Sequence, residues 1–244
     1  MTLKTRLLSK SGANFAYQDH GAGEPLVLIH GVGLQSDAWY PQIAELAKSY
    51  RIIALDMPGH GRSDPLPAKS ELKGYVAWCH AAITSLDVGP VNLAGHSMGA
   101  MMAAAYATKH PTMLRRVAVL NGVYKRDPTA KAAVVARANA IWGGAVDLET
   151  PLSRWFEKTP TEQAARAQVA KWLQDVDPTG YATAYSAFAN GDATYADQFA
   201  KITCPFLSLT GAGDPNSTPQ MAKDMAHAVH HGQAVIIDSH KHMV

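Results

Sequence analysis

The stretch Gly95-His96-Ser97-Met98-Gly99 decides the fold class because of what lies on either side of it. The apolar run 91–94 comes directly before it, and the helix-forming run 100–106 comes directly after it. This order is typical of a strand, a tight turn and a helix, with Ser97 at the apex of the turn. The two glycines leave room for the strand and the helix to pass closely, and the start of the helix favours negative charge near the hydroxyl. The pattern therefore predicts a nucleophilic serine at the edge of a sheet.

Length and composition predict one large α/β domain, or such a domain with an inserted part. The chain has 244 residues, of which 47% are hydrophobic and 17% charged, which favours a buried core over disorder. The net charge of +2 and the lack of any basic run make nucleic acid and membranes poor candidate partners. The two cysteines, Cys79 and Cys204, are typical of buried small side chains and not of a disulfide framework. The first residues carry no signal-peptide pattern, and no stretch is long enough to span a bilayer, which favours a soluble cytoplasmic protein.

Short apolar runs alternate with helical patterns along most of the chain. Six such runs are predicted strands: 26–29, 52–55, 91–94, 117–120, 206–209 and 234–237. Continuous apolar strands separated by helices predict a mostly parallel sheet with helices on both faces. Two earlier segments, 4–8 and 14–19, predict an opening hairpin.

The alternation stops between residues 124 and 201. This stretch is rich in alanine, contains Trp142, Trp155 and Trp172, and includes a predicted amphipathic helix at 161–173. We interpret residues 124–201 as a helical cap inserted into an α/β core formed by residues 1–123 and 202–244. The alternative is a set of ordinary packing helices, since any one tryptophan more often packs in a core than lines a site.

A serine nucleophile needs donors for the oxyanion that forms during attack. In open parallel sheets the parts of a site gather at the C-terminal ends of the strands. The segment His30-Gly31-Val32-Gly33 directly follows the predicted strand 26–29, so the N–H groups of Val32 and Met98 are the predicted oxyanion hole. A plain glycine turn after a strand is the alternative interpretation.

The serine also needs a base and a group that orients the base. Asp214 directly follows the predicted strand 206–209 and is therefore expected at the same edge of the sheet, although a turn-capping aspartate is the alternative. The preceding strand is followed by Asn121, which is not a carboxylate, so Asp214 is the candidate acid. The base is expected beyond Asp214, where both His240 and His242 qualify.

Together these pieces resemble the α/β-hydrolase family over nearly the whole chain. The matching motifs are residues 30–33, the Asp-Met-Pro-Gly-His-Gly-Arg-Ser-Asp loop at 56–64, the turn 95–99 and residues 211–215. The resemblance implies an α/β-hydrolase fold with an inserted helical cap. It implies Ser97 as nucleophile, Asp214 as acid and His242 as base, and it makes His60 structural.

The end of the chain departs from the pattern of this family. Its members commonly carry a His-Met pair at the base, as His242 and Met243 do here, and then continue into a final helix. Only two residues follow His242 in this sequence. We therefore expect either a truncated chain or a missing final helix.

Within the family, Arg154-Trp155-Phe156 and residues 177–182 resemble the 3-oxoadipate enol-lactonase group, whose members handle a small lactone bearing a carboxylate. This resemblance implies that Trp155 and Tyr181 line or support the substrate pocket. We expect a cofactor-independent serine hydrolase that cleaves a carboxylic ester or small lactone through an acyl-enzyme. The alternatives are a carbon–carbon bond hydrolase of ring-cleavage products and a non-catalytic ligand-binding member of the fold. No metal site is predicted, and the histidines at 227, 230 and 231 are expected on a solvated helical stretch.

Overall fold

The computed structural model describes residues 3–8, 11–145, 147–157 and 159–243. Within them, eight strands form one sheet in the order β1-β2-β4-β3-β5-β6-β7-β8. The strands are β1 (Leu3–Leu7), β2 (Asn14–His20), β3 (Glu24–Ile29), β4 (Tyr50–Leu55), β5 (Val91–His96), β6 (Leu114–Leu120), β7 (Phe206–Gly211) and β8 (Gly232–Ile237). The strand β2 runs antiparallel to both β1 and β4, and all other neighbours are parallel. The predicted mostly parallel sheet and its opening hairpin are confirmed.

The six predicted parallel strands are all present, but they are longer than the apolar runs that indicated them. The strand β3 begins at Glu24, and β5 continues through Gly95 and His96, which pair with β3 and β6. Backbone groups make the ladder, so a polar or small residue at the end of a strand can still pair. The last residue of β5 therefore lies directly beside Ser97.

Helices cover both faces of the sheet, as the sequence predicts. They are α1 (Tyr40–Leu46), α2 (Leu72–Leu86), α3 (Met98–Lys109), α4 (Pro128–Trp142), α5 (Glu149–Trp155), α6 (Pro160–Asp175), α7 (Pro178–Gly191) and α8 (Pro219–His227). Side chains along a strand alternate between the two faces. Accordingly, Val27 and Ile53 pack in a cluster with α2 and α3, whereas Leu28 and Ile52 pack with Ile43 of α1.

Four helices, α4 to α7, lie between β6 and β7 in the segment interpreted as a cap. The predicted helix at 161–173 is α6, and the Thr159 side chain caps it by accepting a hydrogen bond from the N–H of Glu162. Residues of α5 and α6 form an apolar cluster with Leu34, while Ala184 of α7 belongs to the main core. The division into core and cap stays a prediction.

The chain between α8 and β8 differs from the expectation. His227 ends α8, but His230 and His231 lie in the turn that follows, so the predicted helical placement is wrong for these two. The physical reason is a close approach, because a Cβ on Gly232 would lie 1.9 Å from the carbonyl oxygen of Ala226. The chain must turn sharply here to enter β8. All three histidines are exposed, as expected.

Two other features of the sequence can be checked directly. Cys79 and Cys204 are both buried, and neither forms a disulfide in the described structure. No helix in the described ranges is long and apolar enough to cross a membrane.

Candidate active site

Ser97 lies at the tight turn between β5 and α3, with backbone angles of φ 55° and ψ −112°. Such a conformation is costly for a residue with a side chain and is held by its surroundings. A Cβ on Gly95 would lie 2.0 Å from the carbonyl oxygen of Gly99, and a Cβ on Gly99 would lie 2.2 Å from that of Ile29. Only glycine fits at both positions, and the strained turn presents the serine hydroxyl at the sheet edge.

The structure brings Ser97, His242 and Asp214 into one hydrogen-bonded chain. The Nε2 atom of His242 lies 3.0 Å from the Oγ atom of Ser97, and its Nδ1 atom lies 2.8 Å from Oδ2 of Asp214. All three side chains are buried. His240, the other candidate base, is exposed, and its Nδ1 atom lies 2.8 Å from the carbonyl oxygen of Asp238.

Asp214 is an ionised carboxylate surrounded by donors. Burial raises the pKa of Asp214, but hydrogen bonds from His242, Asn121 and the Asn216 backbone outweigh burial, and the net direction is downward. Its Oδ1 atom accepts from the backbone N–H groups of Asn216 at 2.8 Å and Ser217 at 3.1 Å. The fixed negative charge can therefore stabilise a positive imidazole at His242.

The N–H groups of Val32 and Met98 are available at the same edge. Within the described residues, neither N–H donates a hydrogen bond to the protein. Met98 is the first residue of α3, where the N–H groups of a helix have no partner within the helix. Val32 follows β3 and lines the same cavity as Ser97. These two groups fit the predicted oxyanion hole.

Two buried histidines hold the loop that carries Val32. His60 accepts a hydrogen bond from the N–H of Gly33 at 2.9 Å, and His30 accepts one from the N–H of Met57 at 2.9 Å. Burial lowers the pKa of His30 to about 4 and that of His60 to about 3, so both rings are neutral at pH 7 and can accept. This agrees with the expected structural role of His60.

A cavity of about 250 Å³ opens over Ser97 and His242. Trp155 and Tyr181, the predicted pocket residues, both line it, and their role in substrate binding stays a prediction. The Trp155 ring stacks against the His242 ring, with centroids 5.7 Å apart and an interplanar angle of 30°. Trp155 therefore contacts the imidazole as well as the cavity, a role that the resemblance did not imply.

Three arginines, Arg126, Arg137 and Arg154, also line the cavity. The guanidinium group of Arg126 is buried, lies 3.3 Å from a carboxylate oxygen of Asp192, and packs over the Phe188 ring. That of Arg137 packs over the ring of Tyr185, 5.7 Å from its centroid, donates to the main-chain oxygen of Asp147 at 2.9 Å, and lies 3.4 Å from the exposed carboxylate of the same residue.

Three positively charged side chains act on Tyr185, which also lines the cavity. Burial raises the pKa of Tyr185, while the charges of Arg137, Arg126 and Arg154 act in the opposite direction. Among the described lining residues, the cavity presents one carboxylate, Asp127, and that group caps α4 by accepting the N–H of Ala130 at 2.9 Å. The part of the cavity lined by the three arginines is therefore suited to an anionic ligand.

Two side chains that contact the triad residues were missed by sequence reasoning. The Nε2 atom of His96 lies 2.9 Å from the main-chain oxygen of His242. The side-chain amide of Asn121 donates to Oδ2 of Asp214 at 2.8 Å. His96 ends β5 and Asn121 follows β6, both at the edge of the sheet that carries Ser97. That position is the one sequence signal that could have drawn attention to them.

Comparison with known proteins shows the family and the fold of this chain. The family model for the alpha/beta hydrolase fold matches residues 24–244, so the chain belongs to this family and is a hydrolase. It is 51% identical over 228 residues to the (E)-2-((N-methylformamido)methylene)succinate hydrolase of Acinetobacter baylyi, covering 93% of this chain and 87% of that protein. It is 25% identical over 240 residues to the 3-oxoadipate enol-lactonase 1 of the same organism, covering 96% and 88%. The fold is also that of the enol-lactonase from Burkholderia xenovorans LB400, with a TM-score of 0.85, 22% identity and coverage of 98% and 93%.

Proposed function

We propose that this chain is a cofactor-independent serine hydrolase that cleaves an acyl bond in a small carboxylate-bearing substrate. The observation that carries the proposal is the hydrogen-bonded chain from Asp214 through His242 to Ser97, which opens into a cavity lined with arginines. An ester, a lactone and an N-acyl group all present the carbonyl that such a nucleophile attacks.

In the proposed reaction, His242 Nε2 takes the proton of Ser97 as Oγ forms a bond to the carbonyl carbon. The carbonyl oxygen becomes an oxyanion and accepts from the Val32 and Met98 N–H groups. The imidazolium then gives its proton to the leaving oxygen or nitrogen as that bond breaks. Water attacks the resulting acyl-Ser97 by the same steps, with His242 as base, and releases the acid.

The arginines that line the cavity support the choice of substrate class. Arg137 and Arg154 face a cavity whose arginines outnumber its carboxylates. A guanidinium binds a carboxylate through paired, charge-assisted hydrogen bonds. The relative from Acinetobacter baylyi is named for a succinate that carries an N-methylformamido group, which combines an acyl bond with two carboxylates. That compound is the first substrate to test.

The nucleophile is tested with 4-nitrophenyl acetate, whose hydrolysis releases a coloured phenolate. Ser97→Ala should lower kcat by roughly 10⁴- to 10⁶-fold, because no other hydroxyl lies on the His242 imidazole in the described structure. If the variant keeps half of the wild-type turnover, Ser97 is not the nucleophile.

The substrate class is tested with a matched pair, 4-acetoxybenzoate and its methyl ester. We expect the wild type to prefer the anion, and Arg137→Gln and Arg154→Gln to reduce that preference by roughly 10-fold or more. Arg6→Gln, an exposed arginine on β1, is the matched control and should leave the preference unchanged. Equal kcat/KM for both esters in the wild type would refute the substrate class.

The alternative reactions give different outcomes in the same assays. A carbon–carbon hydrolase would turn over a vinylogous keto acid from ring cleavage and leave both esters intact. A binding protein of this fold would bind carboxylates and turn over neither. Either result would overturn the proposed acyl hydrolysis.

A further inference from the structure

A loop of residues 238–243, the base loop, carries His242 from the end of β8 to the serine. The main-chain oxygen of His242 lies 2.9 Å from Nε2 of His96, and the His96 ring is buried. A carbonyl oxygen can only accept a hydrogen bond. The Nε2 atom of His96 therefore carries the proton and donates it to the backbone of the base.

The carbonyl oxygens of the two residues before His242 in the base loop also accept hydrogen bonds. That of His240 accepts from the N–H of Gly213 at 2.9 Å, and that of Lys241 accepts from the side-chain amide of Asn121 at 3.3 Å. The loop also lies directly on the end of β7, since a Cβ on Gly211 would lie 2.3 Å from the oxygen of His240. Three consecutive carbonyls are thus tied to groups at the ends of β7, β6 and β5.

The contact from β5 is the one that links the base to the nucleophile. His96 directly precedes Ser97 in the chain, so its ring is fixed by the same strained turn that presents the hydroxyl. We propose that His96 is a positioning residue that sets the distance between the His242 imidazole and Ser97 by holding the main chain of His242. This inference rests on the proposed role of His242 as the base.

The charge state of His96 suits this role. Burial lowers the pKa of His96 to about 4, so the ring is neutral at pH 7. It lies 5.0 Å from the His242 ring, centroid to centroid. A cation at that distance would oppose the positive charge that develops on His242 during attack. A neutral imidazole can hold the backbone without this repulsion.

The first test compares two variants of nearly the same shape, His96→Gln and His96→Met. Both lose the ring, but only glutamine retains a donor that can reach the carbonyl. With 4-nitrophenyl acetate, we expect kcat of the methionine variant to fall roughly 10- to 100-fold, because misplacement of a reacting group by about 1 Å has that effect. KM should change little, and glutamine should restore most of the loss. The same pair at His231, an exposed turn residue, controls for the substitutions themselves.

Equal kcat in the two folded variants would overturn the inference, because the donor would then contribute nothing. The inference would also be overturned if both variants showed the same fall in kcat, the same change in KM and the same loss of thermal stability. That result would indicate that the ring only fills space.

The second test needs neither variant nor turnover. Nitrogen-15 NMR of the labelled wild type should show His96 as the neutral Nε2–H tautomer from pH 6 to pH 8. An Nδ1–H tautomer would overturn the inference, since Nε2 could not then donate. If the wild type cleaves no ester, the proposed function fails, and this measurement still decides whether His96 holds the base loop.

Discussion

Replacing Asp214 by asparagine should prevent His242 from acting as the base while leaving the fold intact. In the structure, Oδ1 of Asp214 accepts from the backbone N–H groups of Asn216 and Ser217. These backbone donors cannot turn round, so the carbonyl oxygen of the new amide must take the Oδ1 position. Its NH₂ group must then take the Oδ2 position, which faces Nδ1 of His242.

An NH₂ group at that position forces Nδ1 of His242 to act as an acceptor. The single proton of the neutral imidazole then lies on Nε2, which faces Ser97 and cannot take the hydroxyl proton. Loss of the correct tautomer costs roughly 10⁴-fold in kcat, or about 5.5 kcal/mol in activation free energy.

Stability should change far less than activity. The Oδ1 atom of Asn121 is buried and has no hydrogen-bond partner in the described structure. If the Asn121 amide turns over, this oxygen can accept from the new NH₂ group, although the two 3.3 Å bonds that Nδ2 donates to the Lys241 carbonyl and to Oγ1 of Thr210 are lost. We therefore expect a melting temperature within a few degrees of the wild type.

The assay is kcat for 4-nitrophenyl acetate together with thermal unfolding. Asp224→Asn, at an exposed position on α8, is the control and should match the wild type in both. A folded Asp214→Asn protein with kcat within about tenfold of the wild type would refute the tautomer argument.

Three further predictions follow from the same geometry. His242→Ala should lower kcat by roughly 10⁴-fold or more, while His240→Ala, whose side chain is exposed, should keep most of it; the opposite result in the same ester assay would reassign the base. Trp155→Ala, which removes a ring from the cavity and from the His242 imidazole, should change the relative kcat/KM across acyl lengths, whereas a uniform loss matched by lower thermal stability would indicate packing alone. Buried His30 and His60 have low pKa values in the folded protein, about 4 and about 3. Between pH 7 and pH 5 these rings therefore take up protons in the unfolded chain but stay neutral in the folded one. Each ring should thus lower the free energy of unfolding by about 2 kcal/mol over this range. Denaturant unfolding at the two pH values measures that loss, and equal stability at both would contradict the neutral, buried state of these rings.

The sequence was most informative where local chemistry determines structure. The turn around Ser97 needs glycine at 95 and 99 because strand and helix backbones nearly touch there, and that requirement is visible in the residues themselves. The parallel strands were equally clear, since burial on both faces demands continuous apolar runs.

The sequence was least informative about contacts made across long separations. His96 and His242 are 146 positions apart, and the role of His96 depends on a main-chain oxygen that carries no sequence signal. Asn121 is not a carboxylate, so no catalytic role is expected of it from the sequence, yet its amide donates to the acid and to the base loop. Arg137 lies on a helix whose direction only the folded chain defines, so its place in the cavity could not be predicted.

The choice between His240 and His242 is an intermediate case. Both follow the same strand, and spacing alone left both open. The structure separates them because the base loop turns back over the end of β7, close against Gly211, and brings the later residue to Ser97.

The most direct test of the account is covalent labelling of the wild type with a fluorophosphonate, followed by peptide mass mapping. This reagent phosphonylates a serine only when a base activates its hydroxyl. We expect one adduct per chain, on the peptide that contains Ser97, no adduct in Ser97→Ala, and much slower labelling in His242→Ala. An unlabelled wild type, or an adduct on any other residue, would contradict the assignment of Ser97 as the nucleophile.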